Sequence, residues 1–183
     1  STGEKVFRET KLRGAILTRT ASSHIRVGTF QYAAFKNDIK LLKTLFQYTI
    51  NRHFPILMDS KNLVFNFLKL YMDKQIDLIV NWMRVGFVHG VMNTDNMTLS
   101  NETIDFGPCA FLDQYNGNAV FSSIDYNARY SFMNQPIIAQ WNFARFTETL
   151  LPLIDKNIEK SITIATEIVE LFAESYKKKW LSM

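Results

Sequence analysis

HGVMNTDNM occupies residues 89–97, and TIDFG follows at 103–107 after a five-residue spacer. Each half places polar chemistry beside a glycine. In the second, Asp105 stands at the end of a β-like piece, and Gly107 permits a backbone turn that a side chain would obstruct. The pieces MTLS (97–100) and TIDF (103–106) read as two short extended segments joined at Asn101-Glu102. Antiparallel pairing of these segments would carry the amide oxygen of Asn96 towards Asp105. Hard oxygen donors from the two ends suit a Mg²⁺ ion that bridges nucleotide phosphates.

Outward from this centre, composition sets the limits. The chain has 183 residues, 47% hydrophobic and 14% aromatic, enough for one domain with a true core and too few for a second full domain. Charged residues interrupt every apolar run before membrane-spanning length, and no signal-peptide pattern opens the sequence, so a soluble cytoplasmic protein is expected, with no membrane partner. The single cysteine, Cys109, excludes an internal disulfide and reads as a small core residue. The net charge of +4 is modest, and Lys177, Lys178 and Lys179 fall together at a helix end without aromatic interleaving. No nucleic-acid partner is expected.

The start, STGEKVFRETKLRG, is polar and strand-like and looks cut from something longer. Residues 12–32 are expected to be irregular or extended, given Gly14, Gly28 and their β-branched residues. Helical spacing of Ile39, Leu42, Leu45, Phe46 and Ile50 predicts a helix from Asn37 to about Arg52. Asp59 or Ser60 would cap a longer central helix ending near Arg84, stopped by Gly86. Residues 108–135 lack a helical period and read as a long loop. Pro136 suits the first turn of the next helix, with Trp141, Phe143 and Phe146 in the core. A last helix capped by Asp155 should run to Trp180, burying Ile158, Ile162, Ala165, Ile168, Val169 and Phe172. The fold class is mainly α with a small β-hairpin (α+β).

A histidine-containing loop bearing a base and an asparagine, followed by an Asp-Phe-Gly metal ligand, is the layout of protein-kinase-like active sites. Small-molecule kinases of that kind resemble H-G-D-x-x-x-x-N, yet the residue after His89-Gly90 is Val91, which cannot accept a proton. Asp95, immediately before Asn96, is the nearest replacement carboxylate. Moving the base along the loop changes where the nucleophile must sit relative to metal and phosphates.

With that departure in view, HGVMNTDNM, TIDFGP and FLD, preceded by LTRTASSHIRVGTFQY and followed by NQPIIAQWNFARF, closely resemble the selenoprotein O (SelO) family over most of residues 1–150. The resemblance implies a protein-kinase-like fold that binds ATP in a flipped orientation. The implied activity is protein adenylylation, the transfer of AMP from ATP to Ser, Thr or Tyr hydroxyls of protein substrates. It further implies Asp95 as the proton acceptor, Asn96 and Asp105 as ligands of Mg²⁺, with Mn²⁺ as the alternative ion, and Asp105 as an ATP contact. Arg19 and Arg26 would lie on the nucleotide phosphates, a task that suits the planar guanidinium fork. The family's glycine-rich loop, its ATP-pairing lysine and its helix glutamate lie upstream of the matched segment. Residues 1–183 are therefore expected to form a single C-lobe-like catalytic fragment without the N-lobe.

Plainer readings stand beside these. Asp95, Asn96 and Asp105 taken singly are turn or capping residues, and Arg19 and Arg26 are surface ion-pair residues. His89 is expected to orient the loop through hydrogen bonds; His24 and His53 have no partners that suggest a metal site. Ser22 and Ser23 lack the elbow of a nucleophilic serine. Two alternatives to adenylylation remain open: a kinase-fold phosphotransferase, and a non-catalytic pseudokinase module that binds partners.

Overall fold

A computed structural model describes residues 1–7 and 10–183; Arg8 and Glu9, within the expected N-terminal extended segment, lie outside it. On either side of them, β1 (Lys5–Phe7) pairs antiparallel with β2 (Lys11–Arg13), Val6 opposite Leu12. The remainder is mostly helical.

The region expected to be irregular before the first helix contains one instead. α1 spans Val27–Phe35 and buries Val27, Phe30 and Ala33, a three-residue spacing that forms one helical face. Its start is set by Thr29, whose hydroxyl accepts the Arg26 N–H at 3.1 Å. Gly28 and the β-branched neighbours had pointed to extended chain; burial against α4 overrides that propensity.

α2 (Ile39–His53) follows, with the Asp38 carboxylate accepting from the N–H groups of Lys40 and Leu41 at 2.9 and 3.0 Å. α3 (Leu63–Arg84) is the long central helix, but Asp59 and Ser60 do not cap it. Its N-cap is Asn62, because Pro55–Leu57 forms a 3₁₀ turn that delays the start. Gly86, with φ +69°, reverses the chain after it as the sequence suggested.

Beyond Gly86, β3 (Phe87–Val88) pairs antiparallel with β4 (Ala110–Phe111), so the expected long loop begins as a strand. Between them, the expected hairpin of MTLS and TIDF shrinks to a single antiparallel bridge, Met97 to Thr103. α4 (Gln135–Thr149) carries Pro136 in its first turn. The helix breaks at Leu150, and Pro152 lies in the first turn of the short α5 (Leu151–Ile154). α6 (Ile158–Leu181) is capped by Asn157, whose side chain accepts from Glu159 and Lys160 N–H, displacing the expected Asp155. Asp155 instead accepts from the Asn157 N–H.

The core is aromatic. Phe67, fully buried on α3, meets Phe46, Phe54 and Phe146 edge-to-face at centroid distances of 5.4, 4.8 and 5.8 Å. Phe143 joins Phe172 of α6 at 5.9 Å. Truncating such a ring to alanine costs about 3–5 kcal/mol. Trp141 departs from expectation: it is 39% exposed, with the Arg129 guanidinium 4.6 Å above its ring. Ile158 and Ile162 are likewise exposed, whereas Ala165, Ile168 and Phe172 are buried. No helix among the described residues is long and apolar enough to cross a membrane.

Candidate active site

The site grows from α1 and from the loop that follows β3. α1 hangs on that loop by backbone hydrogen bonds: Val27 N–H donates to Met97 O at 3.0 Å, Gly28 N–H to Thr94 O at 2.9 Å. Just upstream, Leu99 N–H donates to Ile25 O at 2.9 Å. The segment 25–28, which includes Arg26, is thereby fastened along residues 94–99, which include Asp95 and Asn96. Two of the N–H groups that every helix start leaves without an internal partner are satisfied by this loop.

Asp95 is exposed and sits over the first turn of α1, its carboxylate occupying the space above Gly28. Asn96, 8% exposed, is oriented by its own amide: Nδ2 donates to Val91 O at 2.8 Å. That bond uses the nitrogen end and leaves Oδ1 as the acceptor. In the register of the Met97–Thr103 bridge, Asn96 lies across from Ile104, the residue before Asp105. Asp105 is exposed and has φ +54°, in the left-handed region where aspartate is tolerated better than most residues. Gly107 N–H closes the turn onto Asp105 O at 2.8 Å.

His89 has the orienting role expected of it. It is fully buried; Nε2–H donates to Ile104 O at 2.8 Å, and Nδ1 accepts the Val91 N–H at 3.3 Å. Burial pushes its pKa below the ordinary 6.5, against the opposing pull of the Ile104 carbonyl and the Asp105 charge. A neutral imidazole with both nitrogens engaged holds the loop and the Asp105 corner together.

The arginines reach the site by different routes. Arg19 is exposed and lays its guanidinium over the Phe106 ring, 5.1 Å from the centroid, beside Asp105. Arg26 is half-buried, and its Nε is shielded from solvent with no hydrogen-bond partner among the described residues. A buried N–H without an acceptor is costly. A bound anion would supply that acceptor. Neither arginine is ion-paired among the described residues, so the surface ion-pair reading finds no partner here.

Three residues whose part here no sequence motif marks also shape this candidate site. Glu102 accepts the Ser22 N–H at 2.8 Å and the Ser22 hydroxyl at 3.1 Å, and Arg52 donates to Ser22 O at 2.9 Å. This clasp ties the segment between the two arginines to the hairpin turn. Gln135 is fully buried: Oε1 accepts the His89 N–H and Nε2 donates to Phe87 O, both at 2.9 Å. Gly28 provides room for Asp95. A buried glutamine just before Pro136 carries no local motif, and the Ser22 to Glu102 pairing spans 80 positions. Only Gly28, inside a run that turned out helical, offered a signal. Cys109 is half-buried beside Pro108.

Comparison with known proteins agrees with these motifs. A family model described as protein adenylyltransferase SelO matches residues 1–183. The chain belongs to the SelO family. Among relatives, a protein nucleotidyltransferase YdiU from Nitrosococcus oceani is 56% identical over 183 residues, all of this chain and 37% of the relative. One from Alcanivorax borkumensis is 56% identical over 182 residues, 38% of its length. That from Pelagibacter ubique is 53% identical over 182 residues, again 38%. This SelO chain thus spans somewhat over a third of the length of the curated relatives it matches.

Proposed function

We propose that the chain is the base- and metal-bearing part of a nucleotidyltransferase that moves AMP from ATP to Ser, Thr or Tyr hydroxyls of proteins. The observation that carries this reading is the arrangement around the Met97–Thr103 bridge. Asn96 is braced through its nitrogen, Asp105 is turned outward at a left-handed corner, and Asp95 stands one residue before Asn96. One amide oxygen and one carboxylate are hard donors that fit a Mg²⁺ ion retaining waters and phosphate oxygens in its other positions. When bound, that ion would offset the polyphosphate charge.

The remaining chemistry belongs to the chain's own residues. Asp95 accepts the proton of the incoming hydroxyl as its oxygen attacks the α-phosphorus; a new O–P bond forms, the bond from the α-phosphorus to the bridging oxygen breaks, and pyrophosphate leaves. Arg26, with its unpartnered buried Nε, and Arg19, over Phe106, are suited to bind phosphate oxygens. His89 holds the loop and carries no proton in the reaction. The mostly helical fold, with its two small antiparallel sheets, fits the C-lobe of a protein-kinase-like enzyme.

The test uses the full-length protein with a protein acceptor, Mg²⁺ and ATP labelled on either the α- or the γ-phosphate. Label from the α-phosphate alone, with the mass of AMP on a hydroxyl residue by mass spectrometry, is the expected result. Label from the γ-phosphate would establish a phosphotransferase instead. Absence of nucleotide binding together with retained partner binding would make the chain a non-catalytic module.

A further inference from the structure

The residue on which the Asp95 carboxylate rests is Gly28, in the first turn of α1. A Cβ built at this position would fall well inside van der Waals distance of Asp95 Oδ1 and 3.0 Å from its Cγ. The next nearest atom, Thr94 O, stands at an ordinary van der Waals distance of 3.6 Å. The backbone therefore has room for a side chain at position 28; the carboxylate does not. Meanwhile the Gly28 N–H, by donating to Thr94 O at 2.9 Å, fixes the peptide immediately before Asp95. A carboxylate at the amino end of a helix also lies at the positive end of its dipole.

We infer that Gly28 is a positioning residue for Asp95: the bare Cα at the start of α1 is the seat that fixes where the proton-accepting carboxylate stands. This rests on the reading of Asp95 as the proton acceptor. Its consequence is selective. Any β-carbon at position 28 makes the carboxylate withdraw by rotating about its own side-chain bonds, which barely disturbs the fold. Asn96, Asp105, Arg19 and Arg26 should keep their supports, because no side-chain atom of theirs comes closer to the added carbon than the 3.6 Å of Thr94 O. Substrate binding and turnover should then separate.

The experiment uses the full-length enzyme with Gly28→Ala, Asp95→Asn and the double variant, measuring melting temperature, calorimetric ATP affinity with Mg²⁺, and kcat for AMP transfer. The expected result for Gly28→Ala is an unchanged melting temperature and ATP affinity with kcat reduced on the order of 100-fold, the scale of an ångström-level misplacement of a reacting group. In the double variant, Gly28→Ala should add no further loss to Asp95→Asn, since a base that is absent cannot be displaced. Full activity of Gly28→Ala beside an inactive Asp95→Asn would overturn the inference while sparing the reading of Asp95. Full activity of Asp95→Asn would instead remove the reading beneath it. Should Gly28→Ala lower the melting temperature, Gly28→Ser provides the second measurement. Equal losses in ATP affinity and kcat across both variants would show a structural role alone and overturn the positioning role.

Discussion

The His89 imidazole and the Ile104 carbonyl, 2.8 Å apart, join the loop that carries Asp95 and Asn96 to the corner that carries Asp105. A buried neutral ring makes this joint, so its strength depends on pH. The folded pKa of His89 lies below the unfolded value near 6.5. Between those two values the unfolded chain binds the extra proton, so stability rises with pH. The contribution is fully present above pH 6.5 and is lost as pH falls through that window towards the folded pKa. His53 shifts the same way, through burial first and the neighbouring Arg52 second. Replacing His89 with Gln should therefore flatten the acid limb of a denaturant-midpoint-versus-pH profile only in part, and cost about 1–3 kcal/mol at neutral pH for the lost hydrogen bonds. An unaltered profile would contradict the buried neutral state.

Asp95 and Asp105 should fail differently. With Asp95→Ala in the full-length enzyme, ATP and Mg²⁺ binding should persist while turnover falls by about 10²–10⁴-fold. With Asp105→Asn, which keeps a residue that tolerates φ +54°, nucleotide affinity and turnover should fall together. Asp105→Ala should show the same double loss with an added strain cost on the order of 1 kcal/mol. Calorimetric titration of ATP with Mg²⁺, paired with an AMP-transfer assay, separates the cases.

Glu102→Ala should release Ser22 and loosen the stretch between Arg19 and Arg26. Because this clasp is near the surface, the stability loss should stay within about 1 kcal/mol. ATP affinity should weaken more than turnover at saturating ATP. A Glu102→Gln variant, still able to accept one hydrogen bond, should be intermediate.

Gln135→Leu would leave the His89 N–H and the Phe87 carbonyl buried without partners. With each orphaned group costing about 1–3 kcal/mol, a loss of about 2–4 kcal/mol is expected from denaturant unfolding, larger than for any substitution at the exposed Asp95.

The parts of the candidate site that are readable in sequence are those whose chemistry is local. Asp95-Asn96, Asp105 and His89 announced themselves through side-chain type and short spacing, and α2 and α3 through their apolar period. α1 was missed because a glycine and β-branched residues argue against a helix until burial against α4 is known. The helix starts expected at Asp59 and Asp155 fell to Asn62 and Asn157, a few residues on, because flanking turns, rather than the presence of a carboxylate, determine which residue can cap. Glu102 and Gln135 act across 80 and 46 positions of sequence, a distance over which no spacing rule operates.

The bonds that hang α1 on residues 94–99 also bear on the order in which the chain is expected to fold. Val27 to Met97, Gly28 to Thr94 and Ile25 to Leu99 each close a loop of roughly seventy residues, containing all of α2 and α3. Closing so long a segment carries an entropic cost that local helix formation does not. The helices can form early, but the seat of Asp95 exists only after the two ends meet. The seating of Asp95 should thus be among the last features to form, and the onset of exchange protection at the Val27 and Gly28 amides would record it.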